Sequence, residues 1–175
     1  MIRTSPDPVS DAPFVDCVIE DERWEGIDLP ALACEAAAAA FAHLDLPGAW
    51  EISVLGCDDA RIASLNETFR GKGKATNVLS WPSEERAPET AGAVPEPPEQ
   101  DGDPELGDIA ISYDTCLAEA DAVCMPVADH VRHLLVHAML HLLGYDHETD
   151  ADADLMERLE VEVLATLGLP DPYSK

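Results

Sequence analysis

The sequence predicts an α+β fold of mixed α/β layers, with about four strands in one mixed sheet packed against about five helices. Three observations lead there. Four short segments read as strands, and they are interleaved with longer segments whose apolar residues recur at helical spacing. Turn and cap residues fall at the boundaries between them. At 175 residues and 46% hydrophobic content, the chain is long enough to bury a core of its own.

In chain order, residues 1–13 are rich in Pro, Ser and Asp and read as a disordered tail. Phe14 to Ile19 alternates as a short strand. Leu29 to Leu44 is alanine-rich, follows Asp28 as N-cap, and carries Pro30 in its first turn, where proline is tolerated. Pro47-Gly48 closes that helix. Trp50 to Leu55 alternates again as a second strand. Asp58 caps a helix to about Phe69, with Ile62, Leu65 and Phe69 on one face.

A basic loop, RGKGKA, leads into a third strand, Thr76 to Trp81, stopped by Pro82. Residues 83–104 contain five prolines, many acids and almost no large apolar side chain, and are expected to form a mobile acidic insert. Gly107 to Tyr113 resumes as a fourth strand. A short helix is expected near Thr115 to Asp121, a long one opened by Pro126 and running to Leu143, and a last amphipathic one from about Thr149 to Leu167. The expected organisation is therefore one domain over 14–170, with a C-terminal tail at 171–175.

Composition narrows the function classes. A formal net charge of −26 argues against non-specific attraction to nucleic acid or anionic membrane. The charge is uneven, because Arg61, Arg70, Lys72 and Lys74 fall within fourteen positions and supply four of the ten basic residues. Five widely spaced cysteines without a CxxC read as small core residues in a reducing compartment. The first residues lack the apolar run of a secretory signal, and Leu29 to Leu44 is too short to span a bilayer. The expected location is cytoplasmic, with no membrane partner.

The chemistry sits in His137-Ala-Met-Leu-His141-Leu-Leu-Gly144-Tyr-Asp-His147. Helical residues four apart differ by roughly 40° and one turn, so both imidazoles point the same way. Gly144 then ends the helix in a left-handed conformation and lets His147 come up as a third ligand. Three imidazoles suit zinc, and a fourth position left to water marks a catalytic rather than a structural site. The expectation is one zinc per chain, on a central helix and the turn after it.

The spacing matches the metzincin pattern except where Ala138 replaces the Glu that serves as general base in peptide hydrolysis. It therefore points to zinc hydrolysis and away from a peptidase. His130 and His133 lie on nearly the same face, and His133 reads as a supporting or core histidine rather than a ligand. Asp146 is a candidate to accept the spare N–H of a ligand imidazole, with an ordinary solvated turn carboxylate as the other reading.

Three blocks carry a family resemblance: Leu65 to Arg70 through Thr76 to Pro82, Leu106 to Ile111, and His133 to His147. In order and separation they resemble the YbeY-type endoribonucleases, bacterial rRNA maturation factors. The resemblance implies a metal-dependent, single-strand-specific endoribonuclease acting in ribosome biogenesis, at the 3′ end of 16S rRNA and in ribosome quality control. It implies single-stranded RNA as substrate, with the small ribosomal subunit and its proteins as partners. The family's zinc ligands fall on His137, His141 and His147, and its functional arginine on Arg70. The chain departs from the family pattern at Gly73, Ala75, Asn77 and Ala138.

Arg70 suits a phosphodiester, since a guanidinium stays charged and holds two phosphate oxygens at once. Lys72 and Lys74 are candidates to follow the RNA backbone, or else form an ordinary solvated turn. Two other classes stay open at this level: a ribosome-assembly factor that cleaves nothing and carries a structural zinc, and a divergent zinc peptidase.

Overall fold

A computed structural model describes residues 12–99 and 102–173. Residues 1–11 of the expected N-terminal tail and 174–175 of the C-terminal tail lie outside the described residues. The elements are β1 (Phe14–Ile19), α1 (Leu29–His43), β2 (Glu51–Cys57), α2 (Asp59–Arg70), β3 (Val78–Pro82), β4 (Glu105–Ser112), α3 (Tyr113–Ala122), α4 (Val127–Leu142) and α5 (Asp150–Thr166). Each expected strand and helix is present. A 3-10 turn at Glu22–Ile27 was not expected. It buries Trp24, whose indole N–H donates to the Cys57 carbonyl at 3.0 Å.

The strands form one mixed sheet in the order β1-β2-β4-β3. β1, β2 and β4 run parallel, while β3 runs antiparallel to β4, with Val78 opposite Ile111 and Pro82 opposite Gly107. β3 is an edge strand, which is why Pro82, with no N–H to donate, is tolerated as its last residue. The main core gathers Ile52, Val54, Ile109 and Ile111 from the sheet with apolar faces of α1, α4 and α5. Ala33, Ala36, Ala37 and Ala40 on α1 are fully buried, so that helix approaches closely without large side chains. A smaller cluster of Cys57, Ile62, Leu79 and Ala110 joins α2 to the sheet.

The cysteine reading holds in part. Cys57 and Cys116 are buried, with burial pushing the Cys57 thiol up to about 12, whereas Cys34 and Cys124 are exposed.

The acidic connection between β3 and β4 has definite anchors. The Ser83 hydroxyl donates to the Glu105 carbonyl at 2.8 Å, and the Gly92 N–H donates to Asp152 of α5 at 2.7 Å. Arg86 is the deepest of them, its side chain only 8% exposed. Its Nη1 donates to the Leu142 carbonyl at 2.9 Å and to the Leu106 carbonyl at 3.2 Å. The last carbonyls of a helix have no partner within it, so this guanidinium caps the C-terminal end of α4.

Next to it, Gly144 adopts φ +106°, and a Cβ there would lie 2.5 Å from the Arg86 carbonyl oxygen. Both the backbone conformation and the close approach require glycine. The turn that follows α4 is thus fixed from two sides. Arg86→Ala should lower unfolding stability by about 1.5–3 kcal/mol, the range for hydrogen bonds to a charged group. Urea denaturation of the variant checks this; an unchanged midpoint and slope would remove Arg86 as the anchor.

Candidate metal centre

Three side chains converge where α4 ends. His137 and His141 project from successive turns of α4, and His147 returns after the Gly144 turn. Each offers one ring nitrogen, and the three lie within 4.8 Å of one another. Ring centroids are 4.7 Å apart for His137–His141, 5.4 Å for His137–His147 and 5.2 Å for His141–His147. Nitrogens bound to one tetrahedral zinc lie roughly 3.3 Å apart, given Zn–N bonds of about 2.0–2.1 Å. Small side-chain rotations would bring this set to that spacing.

The donor chemistry also fits. Burial, with His137 and His147 beside it, depresses the His141 pKa to about 4. Its imidazole is therefore neutral near pH 7, the form that coordinates a metal. Among the described residues, no fourth His, Cys, Asp or Glu joins the cluster. Three nitrogens with an open side are the ligand pattern of a catalytic zinc. Ala138 is buried and lines the cleft floor, so no carboxylate stands beside the cluster at that position.

The expected accessory carboxylate is not where the sequence suggested. Asp146 lies 4.0 Å from His141 Nδ1, beyond a hydrogen bond, and instead accepts from the backbone N–H of His147 at 2.8 Å. The carboxylate in contact with the cluster is Glu160 on α5, fully buried. One of its oxygens meets His137 Nδ1 at 2.6 Å, the other His133 Nε2 at 2.8 Å. Tyr173, from the segment expected to be a tail, donates its hydroxyl to the same carboxylate. Burial alone would raise the Glu160 pKa, but the hydrogen bonds from His133, His137 and Tyr173 outweigh it and hold it down to about 2.

Glu160 and Tyr173 escaped the sequence reading. A signal was present for the first. Met156, Leu159, Glu160, Val163 and Leu164 follow one another at core spacing along α5, and the acid occupies an apolar position.

Opposite the histidines stands a cationic wall. Asp58 caps α2 by accepting from the Arg61 N–H, and Gly71 at φ +71° closes its other end. Arg70 is therefore the last helical residue, and its Nη2 donates to the Ser80 carbonyl of β3 at 3.0 Å. The following loop is pinned by buried Asn66, whose side-chain amide donates to the Lys74 carbonyl at 3.0 Å. Arg70, Lys72 and Lys74 line the same cleft of about 670 Å³ as His137, His141 and His147. A second cleft of about 510 Å³, shared with Arg70, His141 and His147, continues past Glu84, Glu85, Asp146 and Glu148. The imidazole cluster sits where a cationic branch meets an acidic one.

Fold and site together define an α+β protein with an open three-imidazole centre facing a guanidinium. The family profile described as Endoribonuclease YbeY matches residues 18–168. The chain belongs to that family. A protein named Endoribonuclease YbeY from Cereibacter sphaeroides is 62% identical over 166 residues, covering 92% of this chain and 99% of that protein. One of the same name from Paracoccus denitrificans is 61% identical, covering 91% of this chain and 90% of that protein. A more distant relative of that name, from Methylocella silvestris, is 43% identical over 93% of this chain and 87% of its own length. The solution structure of a Thermotoga maritima protein shares the fold, with TM-score 0.54, 18% identity, and coverage of 93% of this chain and 100% of that one.

His137→Ala and His141→Ala should each lose nearly all of one equivalent of zinc and, having lost it, melt at lower temperature than the zinc-loaded protein. Elemental analysis of the purified variants decides: stoichiometric zinc in both would remove the cluster as the metal site.

Proposed function

We propose that this protein is a zinc-dependent endoribonuclease that cuts single-stranded RNA, and that its substrate is rRNA in the cytoplasm. The single observation carrying this reading is the cleft in which three imidazoles face Arg70, Lys72 and Lys74. Family membership adds the reaction class, since the relatives bear the name endoribonuclease. Maturation of the 16S rRNA 3′ end, ribosome quality control and contact with the small ribosomal subunit and its proteins extend the proposal from that membership. No helix among the described residues is long and apolar enough to cross a membrane.

His137, His141 and His147 would hold the zinc. A zinc ion bound there would polarise a phosphoryl oxygen and lower the pKa of a coordinated water to roughly 7. The chain's own contribution is electrostatic. Arg70 contacts two oxygens of the scissile phosphate and offsets the negative charge that gathers as the phosphorus is attacked. Lys72 and Lys74 lead the neighbouring phosphates along the cationic branch, while Glu84, Glu85 and Glu148 disfavour phosphate in the other. The RNA backbone is thereby oriented by charge, despite a net charge of −26 over the chain.

Arg70→Ala should keep full zinc and near-normal stability while losing RNA cleavage about a hundredfold or more, roughly 3 kcal/mol of transition-state stabilisation. Arg70→Lys should recover only part, because a point charge does not reproduce a two-pronged contact. Cleavage of a single-stranded RNA by zinc-verified wild type and both variants is the test, with a His137→Ala preparation as control for contaminating nucleases. Equal rates in wild type and Arg70→Ala would take Arg70 out of the reaction.

A further inference from the structure

We infer that Glu160 is a positioning residue for the metal: its carboxylate fixes which nitrogen of His137 carries the proton and so keeps the other free to bind zinc. This rests on the zinc reading above. Glu160 belongs to α5 and lies outside the ligand motif, reaching the centre only through tertiary packing.

Three observations carry the inference. First, Glu160 Oε2 stands 2.6 Å from His137 Nδ1. A neutral imidazole has one N–H and one lone pair, and a carboxylate accepts but does not donate. The contact therefore commits the proton to Nδ1 and leaves the lone pair on Nε2. Second, Glu160 is fully buried, and its ion-pair partners among the described residues are His133 and His137, with no Lys or Arg. A buried carboxylate facing only imidazoles and a phenol complements a dication one ring away, and hydrogen-bonding a ligand in this way raises its basicity. Third, the other oxygen is held by His133 Nε2 at 2.8 Å and by the Tyr173 hydroxyl. The carboxylate cannot rotate away without giving up those bonds. No carboxylate does this for His141, whose nearest lies 4.0 Å away and which hydrogen-bonds the Tyr145 backbone instead. One of the two helical ligands is thus set in advance by α5.

A purely structural role, tying α5 and the C-terminal segment to α4, makes different demands. Such a tie needs hydrogen bonds but neither a particular tautomer of His137 nor a negative charge. Glu160→Gln separates the two, since glutamine keeps the shape but has one accepting and one donating end. It cannot accept from His137 and from His133 and Tyr173 at once.

The measurements are zinc dissociation constants by competition with a chromophoric chelator, melting temperatures of the metal-free proteins, and the His137 tautomer by ¹⁵N NMR of the imidazoles. Glu160→Gln should weaken zinc binding roughly 10- to 100-fold, shift His137 away from the Nδ1–H form, and melt within a few degrees of wild type. Wild-type zinc affinity in folded Glu160→Gln, whatever its melting temperature, would overturn the inference and leave Glu160 as a tie between helices. Metal-free wild type supplies a readout that needs no variant: His137 found with its proton on Nε2 would overturn it equally. Wild type that binds no zinc would sink the proposed function instead, and the tautomer would then alone decide whether Glu160 orients His137.

Discussion

Helix α4 has to be a core helix and the carrier of the imidazole cluster at once, and the rest of the structure follows from that constraint. Val131, Leu135, Val136, Met139, Leu140 and Leu142 are completely buried, so apolar neighbours surround most of it. The stripe left over carries His133, His137 and His141 at intervals of one turn, facing the cleft. A helix packed this tightly has little freedom to rotate or slide. Its imidazoles are consequently held by the hydrophobic core rather than by one another.

The two ends of that arrangement are secured by different physics. At the C-terminal end of α4, unpaired carbonyls attract the Arg86 guanidinium from the acidic connection, and Gly144 makes the turn that returns His147. On the flank, a buried acid on α5 meets His133 and His137. An acidic segment with few large apolar side chains thereby contributes one cation where the fold needs it. Two of its acids, Glu84 and Glu85, line the cleft branch away from Lys72 and Lys74.

Charge distribution matters more here than charge total. A chain at −26 repels polyanions at long range, yet screening confines that repulsion to about 8 Å at physiological ionic strength. Within the cleft, Arg70, Lys72 and Lys74 outnumber the one carboxylate of its lining, Glu119, and are brought together by the end of α2 and by the loop that Asn66 pins. Local geometry therefore governs what the site attracts.

The sequence by itself determined most of what is local, the 3-10 turn at Glu22–Ile27 excepted. Strand alternation, the caps at Asp28 and Asp58, and the alanine-rich helix are set by backbone sterics and periodicity over a few residues. So is the convergence of His137, His141 and His147, because a helical turn followed by a glycine turn brings them together with little outside help. What lay beyond reach was contact between distant segments. Asp146 is adjacent to His147 in sequence but accepts from the backbone there, whereas Glu160, at 23 residues from His137, reaches the cluster because α5 packs against α4. Tyr173 and Arg86 likewise come from segments whose composition reads as tail and insert; Tyr173 meets the buried Glu160, and Arg86 meets the Leu106 and Leu142 carbonyls. Periodicity reports which face of an element turns inward; only the packed structure decides which partner it meets there.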